Sequence, residues 1–159
     1  MVKEAFLDPS LKESHQLSSA NSINIGRLLP QMVYYAKSSL ELWRELGRRP
    51  NYIIPTGNLG NAMACVWARH VGLPIGENVL ATNANQTVTD FLRSGDWQSR
   101  ASVPTLASAM DVGNPSNMER LRSLHADFEE LQGQVGASSV DDIEIRGTLR
   151  RDSHELDRI

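Results

Sequence analysis

The stretch most suited to chemistry is Pro55-Thr56-Gly57-Asn58-Leu59-Gly60-Asn61, a glycine-rich segment with amide side chains. Before it stands Tyr52-Ile53-Ile54, whose aromatic and β-branched residues are typical of a buried strand. After it, apolar residues recur at helical spacing from Leu59 to Val71. A turn from strand to helix presents main-chain N–H groups at the positive end of the helix dipole, so this stretch could bind a phosphate.

The glycines of this segment have two possible explanations. Gly57 and Gly60 can adopt backbone angles that bring the main chain close to a ligand. An ordinary strand-to-helix turn, with Asn58 as the helix N-cap, uses the same residue types. The spacing alone favours neither explanation.

A second polar stretch, Ser19-Ala20-Asn21-Ser22-Ile23-Asn24-Ile25-Gly26-Arg27, lies just before an apolar helical pattern. Ser22, Asn24 and Arg27 could converge on a second anion, with Arg27 making a bidentate, charge-assisted contact. The alternative is an N-cap cluster with Arg27 on a solvated face. On this stretch alone, the alternative is favoured.

The bulk properties narrow the class of protein. At 159 residues, with 40% hydrophobic and 22% charged residues, the chain suits one globular domain with a substantial core. A net charge of −3 gives no reason to expect nucleic acid as a partner, and no run of about 18 apolar residues predicts a membrane span. Cys65 is the only cysteine, which favours a buried structural thiol and a cytoplasmic setting.

The periodicity predicts an α/β protein. Residues 21–46 carry two apolar sets at helical spacing, which predicts a helix buried on most sides at its start, with an early start or a kink at Pro30. The other predicted elements are strands at 52–55 and 78–82, helices at 9–15, 59–71, 86–92, 115–131 and 139–149, and a long ordered loop at 96–114. Strand, helix and strand with short loops indicate a parallel unit. Two strands are few for an independent α/β domain, so the chain is predicted to be part of something larger.

Other polar residues are better explained by structure than by chemistry. The histidines lie far apart in the sequence, at His15, His70, His125 and His154, and show no metal-ligand spacing, so no metal site is predicted. The acidic run at 141–144 suits the start of a helix. Ser116 and Glu119 have capping-box spacing at the start of the predicted helix 115–131.

Five motifs that occur in a fixed order favour binding sites over ordinary turns and caps at the two polar stretches. They are Ser19-Ala20-Asn21-Ser22-Ile23-Asn24, Pro55-Thr56-Gly57-Asn58-Leu59-Gly60-Asn61, Ala81-Thr82-Asn83, Ala109-Met110-Asp111-Val112 and Pro115-Ser116-Asn117. The ordered set closely resembles threonine synthase, the pyridoxal-phosphate enzyme family that converts O-phosphohomoserine and water to threonine and phosphate. The resemblance extends from about residue 1 to residue 145.

The resemblance implies a fold and a set of binding residues. The fold would be of the tryptophan-synthase-β kind, fold-type II, with this chain forming part of a three-layer α/β domain around a parallel sheet. The cofactor phosphate would be bound by the backbone N–H groups of the glycine loop, at Gly57, Asn58, Leu59, Gly60 and Asn61. The substrate phosphate would lie near Asn21, Ser22, Asn24 and Arg27. Thr56 and Leu59 stand where Ser and Phe are common in the family, and both replacements keep the backbone donors.

The sequence also departs from the family. The family forms its Schiff base through a lysine upstream of the asparagine-rich stretch, and the lysines here, Lys3, Lys12 and Lys37, lie in no such motif. The chain is therefore predicted to be a central fragment with a polar lead-in at 1–19, an α/β core portion at 20–149 and a charged tail at 150–159. We expect the fragment to lack activity alone and to self-associate through apolar surface that the missing parts would cover.

Two other interpretations remain open at this point. One is another fold-type II enzyme, such as a serine or threonine dehydratase, against which the Ser-Ala-Asn-Ser-Ile-Asn stretch argues. The other is a catalytically inactive domain, derived from a pyridoxal-phosphate enzyme, that binds phosphate or a partner.

Overall fold

The computed structural model describes residue 5, residues 7–17 and residues 21–139. The helices with described bounds are α1 (Pro9–Ser14), α2 (Ile25–Leu28), α3 (Met32–Leu46), α4 (Gly60–His70), α5 (Thr87–Ser94), α6 (Met118–Ser123) and α7 (Phe128–Gln134). The strands are β1 (Tyr52–Pro55), β2 (Asn78–Thr82) and β3 (Val135–Ser139), and short 3-10 turns lie at Leu29–Gln31 and Ser108–Met110. Within this part of the chain, no helix is long and apolar enough to cross a membrane.

The three strands form one parallel sheet in the order β1-β2-β3, which confirms the predicted parallel unit. β3 was not predicted, because Val135 is its only large apolar residue and its glycine and serines have low strand propensity. Pairing with β2 makes this segment a strand. A helix was predicted to begin at Ser139, and this is wrong, because Ser139 is the last residue of β3 and pairs with Thr82 of β2. The rest of that helix and the charged tail lie outside the described residues.

Helices cover one face of the sheet. Cys65 of α4 contacts Asn78 of β2, and Thr89 of α5 hydrogen-bonds to Thr82 at the other end of the same strand. On the opposite face, Ile53 is 76% exposed. Parallel sheets are ordinarily covered on both faces, so the described residues form two layers of a three-layer domain.

The segment before β1 is buried on one side only, which corrects the expectation of burial on most sides. Leu28 and Tyr35 are buried, whereas Val33 and Tyr34 are 62% and 69% exposed. Periodicity finds the apolar positions of a helix but cannot tell whether a neighbour covers each side. The predicted interruption at Pro30 is confirmed, because this residue lies in the 3-10 turn between α2 and α3.

The predicted helix at 115–131 is instead two helices, α6 and α7. The second of these helices begins after Asp127. The Asp127 Oδ1 accepts a hydrogen bond from the Glu130 N–H over 2.9 Å and so caps α7. The predicted capping box is also wrong. The Ser116 hydroxyl donates to Asn58 Oδ1, and no side chain caps α6. A tertiary partner thus replaces the local cap.

Candidate phosphate-binding cleft

A cleft of about 250 Å³ lies where β1 ends and α4 begins. Both polar stretches singled out in the sequence line it. Ser22 and Arg27 come from the first stretch, and the glycine loop contributes Gly57, Asn58, Leu59, Gly60 and Asn61. Tertiary folding therefore brings the two candidate anion sites together in one place.

Leu59 has the most unusual backbone in the loop. It is the only non-glycine residue in the described part of the chain with a positive φ, at 60°, and its side chain is 2% exposed. The left-handed conformation costs about 1–2 kcal/mol for a residue with a Cβ, so the packing of its side chain must hold it in place. Strain of this kind is concentrated at ligand-binding sites.

The two glycines of the loop are required by close packing. Neither Gly57 nor Gly60 has a positive φ, so a left-handed backbone does not explain why these residues are glycines. A Cβ at Gly57 would lie 3.0 Å from the Met110 Cα, and a Cβ at Gly60 would lie 3.2 Å from the Ser22 Cβ. Glycine is needed here because two distant segments approach the loop.

The first turn of α4 has no side-chain cap. Leu59 occupies the N-cap position, so the N-cap role considered for Asn58 is wrong. The first N–H groups of a helix lack acceptors within the helix, and the residues that carry them, Gly60, Asn61 and Ala62, line the cleft. The positive end of the dipole of this 11-residue helix therefore opens on the cleft and suits an anion.

Asn58 connects three segments instead of capping the helix. Its Nδ2 donates to Ser22 Oγ over 2.6 Å. Its Oδ1 accepts from the Ser116 N–H over 2.6 Å and from the Ser116 hydroxyl over 2.9 Å. One side chain thus fixes the loop against both the first polar stretch and the segment before α6.

Asn117 and Arg120 complete this connection. The buried Asn117 side chain donates from Nδ2 to the Ser22 carbonyl over 2.8 Å and to the Asn58 carbonyl over 2.7 Å. Arg120 donates to Asn117 Oδ1 and, over 2.7 Å, to the Ile23 carbonyl. The motif Pro115-Ser116-Asn117 contributed to the resemblance, but no local pattern indicates that it holds the first polar stretch against the loop.

The residues of the first polar stretch have different roles. Asn21 Oδ1 accepts from the Ile23 N–H over 3.0 Å, and Asn24 Oδ1 caps α2 by accepting from the Gly26 N–H over 2.8 Å. Neither asparagine is among the residues that line the cleft, whereas Ser22 and Arg27 are. The stretch is therefore both an N-cap cluster, as the alternative explanation had it, and a contributor to the cleft.

Asn61 is held from the side of α3. Its Oδ1 accepts a hydrogen bond from the Tyr35 hydroxyl, and its Nδ2 donates to Gln31 Oε1 over 2.9 Å. Burial raises the pKa of Tyr35 above its ordinary value, which keeps this donor protonated. Gln31 and Tyr35 were not predicted to belong to the site, since neither lies in a polar motif.

The long loop at 96–114 is ordered by a polar cluster beside the carboxyl end of β2. Asn83 Nδ2 donates to Asp111 Oδ1 over 2.7 Å, and the Thr105 hydroxyl donates to the same oxygen over 2.7 Å. The Thr105 N–H also donates to Asp111 Oδ2, over 3.0 Å, and Asn85 Nδ2 donates to Asp111 Oδ1 over 3.2 Å. This cluster places the adjacent Met110 against Gly57 and closes one side of the cleft.

The same contacts change the acidity of Asp111. The hydrogen bond from the Thr105 hydroxyl is the largest effect and lowers the pKa of Asp111. Desolvation, the next largest, raises it, but further hydrogen bonds from the Thr105 N–H and the Asn83 side chain keep the pKa below its ordinary value. The carboxylate is therefore charged at neutral pH and acts as the acceptor at the centre of the cluster. Among the described residues, no group of three or more His, Cys, Asp and Glu side chains could hold a metal ion.

Comparison with curated proteins finds threonine synthases. The chain is 41% identical to the enzyme of Serratia marcescens and 39% identical to that of Escherichia coli, over 150 residues in each case. Each match covers 94% of this chain and 35% of the relative, so the chain spans about a third of the length of these relatives. No protein-family model matches the chain.

Solved structures give the same result. The threonine synthase of Escherichia coli matches with a TM-score of 0.84 at 40% identity, covering 94% of this chain and 35% of that one. The pyridoxal-phosphate-bound threonine synthase of Brucella melitensis matches with a TM-score of 0.77 at 30% identity, covering 88% and 35%. Maize serine racemase, at 14% identity and a TM-score of 0.54 over 94% of this chain and 44% of that one, shares the fold alone. This chain is a relative of the threonine synthases and corresponds, in sequence and in fold-type II architecture, to about one third of such a protein.

Proposed function

We propose that this chain is the cofactor-phosphate-binding portion of a threonine synthase, which converts O-phosphohomoserine and water to threonine and phosphate. The observation that carries the proposal is the uncapped start of α4, which opens on a cleft that also contains Arg27. The similar structure from Brucella melitensis is described as bound to pyridoxal phosphate, which supports the same cofactor here.

The cleft has the chemistry that a phosphate monoester requires. Main-chain N–H groups at the helix start offer donors, and Arg27 adds a positive charge. No Asp or Glu is among the described residues that line the cleft. Gly57 and Gly60 add no side chain to the cleft, and each lies directly against a neighbouring segment.

The proposed role of the glycine loop is to position the cofactor. Pyridoxal phosphate, when bound, supplies an electron-withdrawing ring that stabilises negative charge developing on an amino-acid substrate. Gly57, Asn58, Leu59, Gly60 and Asn61 would hold its phosphate through main-chain N–H groups. Because the loop is fixed by hydrogen bonds of Asn58 and Asn61, it would hold the phosphate without first having to reorganise.

The first polar stretch is proposed to bind the second phosphate, that of the substrate. Ser22 and Arg27 line the same cleft as the loop, so a hydroxyl donor and a guanidinium are available next to the cofactor site. Asn21 and Asn24 would contribute by capping the turn that carries Ser22 and Arg27. Two phosphates close together repel each other, and the cation reduces that repulsion.

The 159-residue chain is proposed to be inactive by itself. Of the described lysines, neither Lys12 nor Lys37 lines the cleft, and Lys37 pairs with Glu41 on the exposed side of α3 over 3.8 Å. Activity would then require parts of the relatives beyond the third that this chain matches. If the purified chain released phosphate from O-phosphohomoserine above the buffer rate, this part of the proposal would be wrong.

Binding of the cofactor phosphate can be tested without turnover. The isotope-labelled chain would be titrated with pyridoxine 5′-phosphate, which lacks the reactive aldehyde, while the amide resonances of the loop and of the first turn of α4 are followed by NMR. We expect saturable shifts at Gly57, Gly60 and Asn61. Unphosphorylated pyridoxine is the matched control and should leave these amides unchanged. Equal shifts with both compounds, or none with either, would contradict the proposed site.

A further inference from the structure

Ser22 carries a hydroxyl whose hydrogen-bonding direction is decided by its neighbours. Its Oγ lies 2.6 Å from Asn58 Nδ2, and a Cβ at Gly60 would lie 3.2 Å from the Ser22 Cβ. Ser22 is half-buried between these two residues, and all three line the cleft at the glycine loop. A hydroxyl can both donate and accept, so its behaviour toward the cleft depends on the group that Asn58 presents to it.

The orientation of the Asn58 amide is fixed by Ser116. Asn58 Oδ1 accepts from the Ser116 N–H over 2.6 Å and from the Ser116 hydroxyl over 2.9 Å. A main-chain N–H can only donate, so the amide must turn its oxygen toward Ser116 and its nitrogen toward Ser22. An amide nitrogen can only donate as well. The Ser22 Oγ is therefore the acceptor in its contact with Asn58.

The carbonyl of Ser22 is held by a second amide whose direction is also fixed. Arg120 donates to Asn117 Oδ1, and a guanidinium cannot accept. The Asn117 Nδ2 is therefore turned toward the carbonyls of Ser22 and Asn58, to which it donates over 2.8 Å and 2.7 Å. Arg120 also donates to the Ile23 carbonyl over 2.7 Å. Ser22 is thus held at both its hydroxyl and its carbonyl.

These contacts leave the proton of the Ser22 hydroxyl available to the cleft. Within the described ranges of the chain, Ser22 Oγ accepts from Asn58 and donates to no protein acceptor. Hydrogen bonds in a chain polarise one another, so the bond accepted from Asn58 makes the hydroxyl a better donor. Arg27 lines the same cleft and supplies a positive charge. An anion in the cleft would accept the Ser22 proton.

We propose that Asn58 is a positioning residue, which sets the Ser22 hydroxyl as a proton donor to a bound phosphate group. Asn117 and Arg120 support this role by holding the main chain of Ser22 in place. The inference rests on the proposed function, which assigns the substrate phosphate to the first polar stretch. It gives the Asn58 side chain a task distinct from that of the main-chain N–H groups of the loop, because the side chain acts on the ligand only through Ser22.

A double-mutant cycle in phosphate affinity tests this role. The isotope-labelled chain, saturated with pyridoxine 5′-phosphate, would be titrated with inorganic phosphate while the main-chain amides of Ser22 and Arg27 are followed by NMR. We expect saturable shifts, and Ser22→Ala should weaken phosphate binding by about tenfold, because a hydrogen bond to a charged group is lost. Asn58→Ala should also weaken binding, but it should add no further loss to Ser22→Ala. A merely structural role would lower the affinity in both backgrounds.

Arg120→Lys is a second variant, which keeps the inference testable if Asn58→Ala does not fold. It keeps the positive charge but loses the planar fork that donates to both Asn117 and Ile23. We expect phosphate binding to weaken by about threefold when Ser22 is present and to stay unchanged in the Ser22→Ala background. Arg122→Lys is the matched control, because Arg122 lies on the same helix but outside this cleft, and it should leave the affinity unchanged.

The response of the loop amides to pyridoxine 5′-phosphate tests the proposed function separately. If the loop responds but Ser22→Ala binds inorganic phosphate as tightly as the unaltered chain, this inference alone is overturned. Equal losses for Asn58→Ala with and without the Ser22 hydroxyl would also overturn it, because Asn58 would then act on the loop or directly on the anion. If the loop does not respond, the proposed function is contradicted, and the same cycle is measured with inorganic phosphate alone.

Discussion

Asn58 Nδ2 lies 2.6 Å from Ser22 Oγ, and this hydrogen bond joins two polar stretches that are 36 residues apart in the sequence. The sequence suggested that each residue could cap a nearby helix, but Leu59 and Asn24 occupy the N-cap positions instead. Their contact creates one cleft from two separate motifs, because it brings the side of α2 that carries Arg27 next to the start of α4.

Removing the Asn58 side chain should loosen the cleft. Asn58→Ala loses the bonds to Ser22 and Ser116, and we expect the free energy of unfolding to fall by about 1–3 kcal/mol. Asn58→Asp is the matched control, since it keeps the acceptor for Ser116 and loses only the donor to Ser22. In urea unfolding, the free energy of unfolding of Asn58→Asp should therefore lie between those of the unaltered chain and of Asn58→Ala. Equal losses for both variants would show that the bonds to Ser116 contribute nothing.

The glycines of the chain should differ sharply in their tolerance of a methyl group. Gly57→Ala would bring a Cβ to 3.0 Å from the Met110 backbone, which cannot move freely, so unfolding should become easier by about 1–3 kcal/mol. Gly133→Ala in α7 meets nothing within 4 Å and should stabilise the chain by about 0.5–1 kcal/mol. Thermal unfolding of both variants tests the packing. A stable Gly57→Ala protein would mean that Met110 does not close the cleft.

Leu59→Gly compares two free energies at the loop: the cost of the left-handed backbone and the stabilisation from burying the leucine side chain. Glycine would relieve about 1–2 kcal/mol of left-handed strain, but loss of the buried leucine side chain costs about 2–5 kcal/mol. The variant should therefore be less stable, as measured by urea unfolding. A more stable variant would show that strain outweighs the packing of Leu59.

Asp111 should make the stability of the chain depend on acid pH. Because its pKa is lower in the folded state than the ordinary value of 3.8, its carboxylate stabilises the fold at pH values above 3.8, and this contribution is lost as the pH falls through the folded pKa. Asp111→Asn should flatten the fall in stability as the pH drops from 3.8 through the folded pKa. Asp8, whose pKa is also lowered, is present in both proteins, so the difference reports Asp111. Parallel stability curves would contradict this role.

Local sequence pattern was sufficient to predict the elements that flank the cleft at the glycine loop. The aromatic and β-branched residues at 52–54 and the helical spacing after Gly60 identify β1 and α4, because strand propensity and helical periodicity are local properties of the chain. The ordered motifs also pointed to the threonine synthases, and a solved threonine synthase shares the fold. The loop residues Gly57 to Asn61 were assigned from sequence, and the cleft includes all of them.

Contacts between residues far apart in the sequence decided the third strand and the connections around the cleft. β3 is a strand because β2 lies beside it, although its own residues are weak strand formers. Asn117 and Arg120 belong to the site because they reach the carbonyls of Ser22 and Ile23, which no local pattern encodes.

The sequence by itself determined the strand and the helix that flank the glycine loop and which family the motifs resemble, and it suggested where a phosphate could bind. Tertiary structure alone decided that Gly57 and Gly60 serve close packing, that Asn58 acts as a connector, and that the Cys65 thiol donates to the buried Asn78 side chain. The physical reason is that propensity and periodicity depend on neighbours along the chain. Steric contact and the satisfaction of buried polar groups depend on neighbours in space.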